Sequence, residues 1–256
     1  MALASDGSLF TWGDGSRGQL GHSQLHAMAL AGAQNNITLL LPQKIQRLDP
    51  SNLTPDSRVT AISAGNYHSM ALTVGGSILA FGGNENGCLG LGDCDDRWKP
   101  SKVSLTLDGE EGVCIRAVQL ACGAGHTVAL ISRQGCLQVR TTGINTWGQL
   151  GHGDRLLRSR FTPTLPVAHV TAVQAGDEHS AAITEDGDLF MWGRGDSGQL
   201  GLGDGRARWR PTSIRGFQVV HPDKTLRRSK RNQPFVRPAT NQDSKRQRVH
   251  DGMHLW

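Results

Sequence analysis

The feature that most constrains this chain is a short string that returns four times. Gly-x-Leu-Gly stands at Gly18-Gln19-Leu20-Gly21, Gly87-Cys88-Leu89-Gly90, Gly148-Gln149-Leu150-Gly151 and Gly198-Gln199-Leu200-Gly201. Five positions before each copy stands another glycine: Gly13, Gly82, Gly143 and Gly193. An aromatic precedes it in three copies (Trp12, Phe81, Trp192), and the third copy has Thr142 instead. Upstream, a second landmark recurs as Gly-x-x-His-[Ser/Thr], with histidines at His68, His126 and His179. These lie 58 and 53 residues apart, a period that signals a propeller or solenoid built of one supersecondary unit per repeat.

Each unit reads as β. Ser69–Thr73 and Ser180–Thr184 are short apolar runs; glycine turns lead from them to Ser77–Phe81 and Asp188–Trp192, as in hairpins. No window carries helical periodicity, so negligible helix is expected. The aromatic-Gly pair is suited to placing a large ring under a blade. Two other readings of the same glycines fall away. Gly193, Gly195 and Gly198 match the dinucleotide fingerprint, but the following Gln-Leu-Gly-Leu-Gly-Asp is a poor first helical turn. Arg194-Gly195-Asp196 spells an adhesion tripeptide, yet nothing else points to an extracellular protein.

The combined pattern A-G-x-x-H-[ST]-x-A-L-x-x-D-G-x-[LV]-[FY]-x-W-G-x-[GN]-x-x-G-Q-L-G-x-G-D resembles the regulator of chromosome condensation repeat, over residues 1–220. The resemblance implies an all-β propeller, seven-bladed in full-length members, each blade a small antiparallel sheet. About four units are expected here: a partial unit at 1–58, then 59–117, 118–169 and 170–220. Because Met1–Gly7 matches the middle of the pattern, the expectation is an incomplete ring. Its open blade edges would invite self-association.

Charge is unevenly placed. Residues 221–256 hold nine Lys/Arg against three Asp, whereas the rest holds 18 bases against 19 acids. With few aliphatics, the tail is expected to be a disordered basic tail. Its clusters Arg227, Arg228, Lys230, Arg231 and Lys245, Arg246, Arg248 are nuclear-import candidates, or a weak nucleic-acid or importin contact; a merely solvated tail is the alternative. The near-neutral body argues against DNA binding by the folded part. Five cysteines without a C-x-x-C pair read as reduced thiols of a cytoplasmic or nuclear protein. No apolar run is long enough to span a membrane.

Little in the sequence offers bond chemistry. The recurring histidines are expected to be structural, each bonding the backbone of its own blade. Asp93, Asp154 and Asp204 read as turn caps. No nucleophile motif or metal-ligand cluster stands out, and no catalytic residue, metal or cofactor is implied. Binding remains, so the expected function is a protein–protein interaction scaffold.

Two surfaces are candidates for that binding. Arginine-aromatic pairs precede a proline in Arg97-Trp98-Lys99-Pro100, Arg160-Phe161-Thr162-Pro163 and Arg208-Trp209-Arg210-Pro211. Either Arg97, Trp98, Arg208, Trp209 and Arg210 form a band for a protein partner, or each ring packs on its own blade beneath its arginine. The second surface is the variable pair inside Gly-x-x-His: Asn66-Tyr67, Ala124-Gly125 and Asp177-Glu178. In guanine-nucleotide exchange members of the family, acidic loop residues near this turn approach the GTPase, and here Asp177 and Glu178 match. Exchange on a Ran-like small GTPase is therefore an alternative function, and a propeller fragment of a larger protein such as a ubiquitin ligase is another. Plant ultraviolet receptors of the family place tryptophans where this chain has Asn66, Ala124 and Asp177, which argues against that function.

Overall fold

The computed structural model describes residues 1–31, 37–48, 51, 54–107 and 112–218. Four antiparallel sheets follow one another along the chain. The first has β1 (Ala2–Leu3), β2 (Leu9–Asp14) and β3 (Thr38–Lys44), in that order. The second runs β4 (Val59–Ala64), β5 (His68–Thr73), β6 (Ile78–Gly82) and β7 (Arg97–Lys102). The third runs β8 (Ile115–Cys122), β9 (His126–Arg133), β10 (Cys136–Gly143) and β11 (Arg158–Pro163). The fourth runs β12 (Val170–Ala175), β13 (His179–Thr184), β14 (Asp188–Gly193) and β15 (Arg208–Gln218). Neighbours in sequence are neighbours in each sheet, the up-and-down order of a propeller blade. No helix among the described residues is long and apolar enough to cross a membrane.

The core lies between sheets. β5 is buried at all six positions, because both faces of the strand meet protein. Leu9 and Ile45 of the first unit pack with Val59, Ala71 and Phe81 of the second. Met70, Ile78 and Leu89 pack with Ala129, Ile131 and Phe161 of the third. Val128, Leu130 and Val139 pack with Val173, Ala182 and Trp192 of the fourth. Each blade therefore completes its apolar contacts only against a neighbour, the energetic logic of a repeat array.

The closing glycine of Gly-x-Leu-Gly sits at these seams. A Cβ at Gly151 would lie 2.9 Å from the Trp192 indole nitrogen of the next sheet, and one at Gly90 would lie 2.5 Å from the Phe161 ring. Trp192 and Phe81 are fully buried under their blades, as the aromatic-Gly pair predicts, whereas Trp12 in the first sheet is 41% exposed.

The Phe161 contact explains why the third copy departs from the pattern. Cross-strand register pairs Gly82 with Arg97, Gly143 with Arg158 and Gly193 with Arg208. Arg158, not Arg160, is thus the counterpart of Arg97 and Arg208, and the expected alignment was off by two residues. Phe161 occupies the place of Pro100 and Pro211 and reaches beneath Gly90, where Phe81 and Trp192 supply a ring in their own blades. Thr142 is small enough to leave room, and its hydroxyl, with one proton to donate, lies 2.8 Å from both the Gly87 and the Arg158 carbonyl oxygens.

A short helix, α1 (Gln24–Leu30), stands in this otherwise β-rich chain. Its sequence, Gln-Leu-His-Ala-Met-Ala-Leu, has good helix propensity, but Leu25 alone is buried, so no apolar stripe announces it. Leu25 joins Leu20 and Ile37 in a small cluster against which Trp98 packs. The basic clusters of the tail, and the disorder expected of them, lie outside the described residues.

Candidate functional site

The loops that could meet a partner are held by latches between blades. His68 Nε2 lies 3.0 Å from Thr127 Oγ1, and His126 Nε2 lies 3.0 Å from Ser180 Oγ. Each hydroxyl donates its single proton to a backbone carbonyl, Thr127 to Cys88 at 2.9 Å and Ser180 to Gln149 at 2.8 Å. The histidine Nε2–H must then be the donor. This corrects the expected bond to the backbone of the same blade: a ring inserted between stacked sheets finds its acceptor on the neighbour. Burial pushes His68 down to about 4 and His126 to about 3, so both are neutral near pH 7. The His126 Nδ1 atom has no hydrogen-bond partner, which suits an unprotonated nitrogen.

On this frame the closing loops repeat a second device. Asp93 Oδ2 bonds Arg97 Nη2 at 2.5 Å, Asp154 bonds Arg158 at 2.7 Å, and Asp204 bonds Arg208 at 2.6 Å. The other carboxylate oxygen of each accepts a backbone N–H two residues on, from Asp95, Leu156 and Arg206. The aspartates are turn caps, as read from sequence, and also hold the arginines. Arg208 and the Arg206 backbone N–H keep the Asp204 carboxyl below its ordinary range.

Arg97 and Arg208 are thereby engaged within their own blades. Trp98 stacks on His26 of α1, with ring centroids 5.0 Å apart. Trp209 is 45% exposed, with the Arg155 guanidinium of the preceding unit 5.3 Å from its ring centre. Arg210 is exposed, and a Cβ at Gly153 would meet its side chain at 3.0 Å. The third sheet carries Ser159 at the tryptophan position, so the two arginine-tryptophan pairs stand on separate blades with no aromatic between them.

The Gly-x-x-His loops are stitched in series. The Asn66 N–H donates to the Ala124 carbonyl at 3.2 Å, and the Ala124 N–H to the Asp177 carbonyl at 2.9 Å. Asp177 is exposed. Glu178 takes a 2.6 Å ion pair from Arg194, whose Nε also reaches Asp196 at 2.7 Å. Arg194 lies 4.9 Å above the Trp147 ring of the preceding unit. The adhesion-like triplet thus has its arginine and aspartate paired with each other. Trp147, Arg194 and the analogous Arg17, bonded to Asp96 at 2.7 Å and Glu85 at 3.2 Å, were missed in the sequence. Their common signal is position: long side chains between the aromatic-Gly turn and Gly-x-Leu-Gly. Among the described residues, no group of three or more His, Cys, Asp or Glu side chains could hold a metal.

The comparison with protein families decides the relationship, since the RCC1-like domain matches residues 1–229. The chain belongs to the RCC1-like domain family. Ultraviolet-B receptor UVR8 of Arabidopsis thaliana is 38% identical over 171 residues, 65% of this chain and 36% of that protein. The probable E3 ubiquitin-protein ligase HERC3 of Homo sapiens is 31% identical over 234 residues, 90% of this chain and 20% of that protein. The crystal structure of Prp20p from Saccharomyces cerevisiae, whose title describes binding to Gsp1p and histones, superposes with a TM-score of 0.62. It is 25% identical, covering 83% of this chain and 47% of that one. This RCC1-like chain therefore spans about a third or less of the length of these curated relatives.

Proposed function

We propose that this RCC1-like chain is a protein-interaction scaffold that presents blade-to-blade loops of varied chemistry. The observation that carries the reading is a contrast. The frame repeats, through the two histidine–hydroxyl latches and three Asp–Arg caps, while the exposed groups on it differ at every blade. Tyr67 and Asp177 are exposed on different loops and Trp209 at the start of β15, and such variation on a rigid frame is how repeat scaffolds distinguish partners. Trp209 under Arg155 is the candidate anchor, since aromatic and arginine side chains dominate binding hot spots. Arg208 and Arg210 would flank it on β15, Arg97 and Trp98 would offer a second contact on the second blade, and the tail would supply the nuclear-import contact. The test is affinity capture from nuclear and cytosolic extract with the full chain, with Trp209→Ala, and without residues 221–256. A partner retained equally by all three proteins would sink the assigned anchor and the tail contact together.

A second reading, nucleotide exchange on a Ran-like small GTPase, is favoured by the exposed Asp177 and by the similarity to Prp20p. Glu178 complicates it, because its carboxylate already holds Arg194. Displacing a nucleotide requires several loops to favour the nucleotide-free GTPase at once, and only one Gly-x-x-His loop here bears acids. Fluorescent-nucleotide release should show weak acceleration. Strong acceleration abolished by Asp177→Ala/Glu178→Ala would place exchange ahead of scaffolding. Asn66, Ala124 and Asp177 stand where the family resemblance implies tryptophans in ultraviolet receptors, which argues against a light-sensing reading.

A further inference from the structure

A cleft of about 350 Å³ is lined by Lys44 at the end of β3, Arg47 in the turn after it, and Lys99 of β7. It therefore spans the first two sheets. Ile45 and His22, both buried, line it too, as do Gln24 and Gln46. Among the described residues that line it none is acidic, although residues 1–220 carry 18 bases against 19 acids. Thr11 Oγ1 donates to the Leu20 carbonyl at 2.7 Å and so accepts from His22 Nε2, 3.0 Å away. That network holds the ring of this lining residue in place.

We infer that this cleft binds a phosphoryl group, carried either by a small phosphate ester or by a phosphorylated side chain of a protein. Basic residues from two segments, the end of β3 with the turn after it and β7, line one concavity together with Gln24 and Gln46. A phosphate dianion can accept several charge-assisted hydrogen bonds at once and relieve the repulsion among the cations. The partial enclosure lowers the effective dielectric, so the attraction exceeds that on an open surface. The volume is at the small end of ligand pockets, which suits a phosphoryl group and the first atoms of its ester. No residue of this cleft belongs to the Trp209 or Asp177 loops, so the site stands or falls apart from the scaffold reading.

The test is amide and imidazole NMR of the full chain titrated with inorganic phosphate, N-acetyl-phosphoserine amide, N-acetyl-serine amide and sodium chloride of matched ionic strength. Both phosphate probes should saturate shifts at His22, Gln46 and Lys99, and neither control should. Lys99→Ala and Arg47→Ala, exposed positions whose replacement leaves the β spectrum intact, should each weaken binding about ten-fold. Tighter binding of the phosphoserine probe assigns the site to a modified side chain, and equal or tighter binding of inorganic phosphate assigns it to a free phosphate compound. Shifts reproduced by chloride, or phosphate binding indifferent to both substitutions, would overturn the inference.

Discussion

His126 Nε2 and Ser180 Oγ lie 3.0 Å apart although they belong to different sheets, and the serine passes its own proton to the Gln149 carbonyl at 2.8 Å. One buried proton chain therefore joins the third blade's second strand to the fourth blade and back to the loop of the third. Replacing Ser180 by Ala would leave the His126 N–H without an acceptor in a fully buried site. The expected cost is about 1–3 kcal/mol in urea-unfolding free energy. Ser180→Thr should cost much less, since Thr127 already performs the same task for His68.

The same histidines set a pH dependence. Burial lowers His68 to about 4 and His126 to about 3, against 6.5 for an ordinary histidine. Between those values the unfolded chain binds more protons than the folded one, so stability falls as pH falls. Full histidine-linked stability is present above pH 6.5 and erodes steadily toward pH 4. Thermal unfolding scanned from pH 7.5 to pH 4.5 should show a midpoint that stays nearly level down to pH 6.5 and then drops, by several degrees or more on the order expected for a few kcal/mol. A flat profile across that range would contradict neutral, buried latches.

Phe161 substitutes for an absent ring, and this can be reversed. Phe161→Ala should destabilise by about 3–5 kcal/mol through the cavity left beneath Gly90. Thr142→Phe alone should overpack the same space by about 1–3 kcal/mol. Thr142→Phe with Phe161→Pro rebuilds the arrangement of the second blade, and its cost should be well below the sum of the single changes. A double-mutant cycle from denaturant midpoints checks the sign of that coupling.

Trp209 separates binding from stability. Its ring is 45% exposed, and its backbone carbonyl, which accepts the Gly153 N–H at 2.7 Å, survives truncation. Trp209→Ala should change unfolding free energy by less than about 1 kcal/mol while weakening partner capture about ten-fold or more. Surface plasmon resonance on the captured partner, beside a melting curve of the same variant, measures both.

The repeat landmarks alone determined the fold class, the buried rings of Phe81 and Trp192 beneath their own blades and the caps at Asp93, Asp154 and Asp204. All of these are local: a turn glycine, a hydroxyl or a carboxylate acts on residues within one unit, so spacing along the chain records it. What crosses between units was decided by the tertiary structure. The histidine's acceptor is 59 residues away at Thr127 and 54 away at Ser180, on strands whose relative placement no linear spacing encodes. Strand register likewise made Phe161 the counterpart of Pro100, because a cross-strand pair is set by hydrogen bonding and bulges between strands, not by motif alignment. The pairing of Glu178 with Arg194 beside Trp147, and the convergence of Lys44, Arg47 and Lys99, arise the same way. Side chains read as separate in the sequence meet because stacking the blades buries the apolar faces that no single blade can cover.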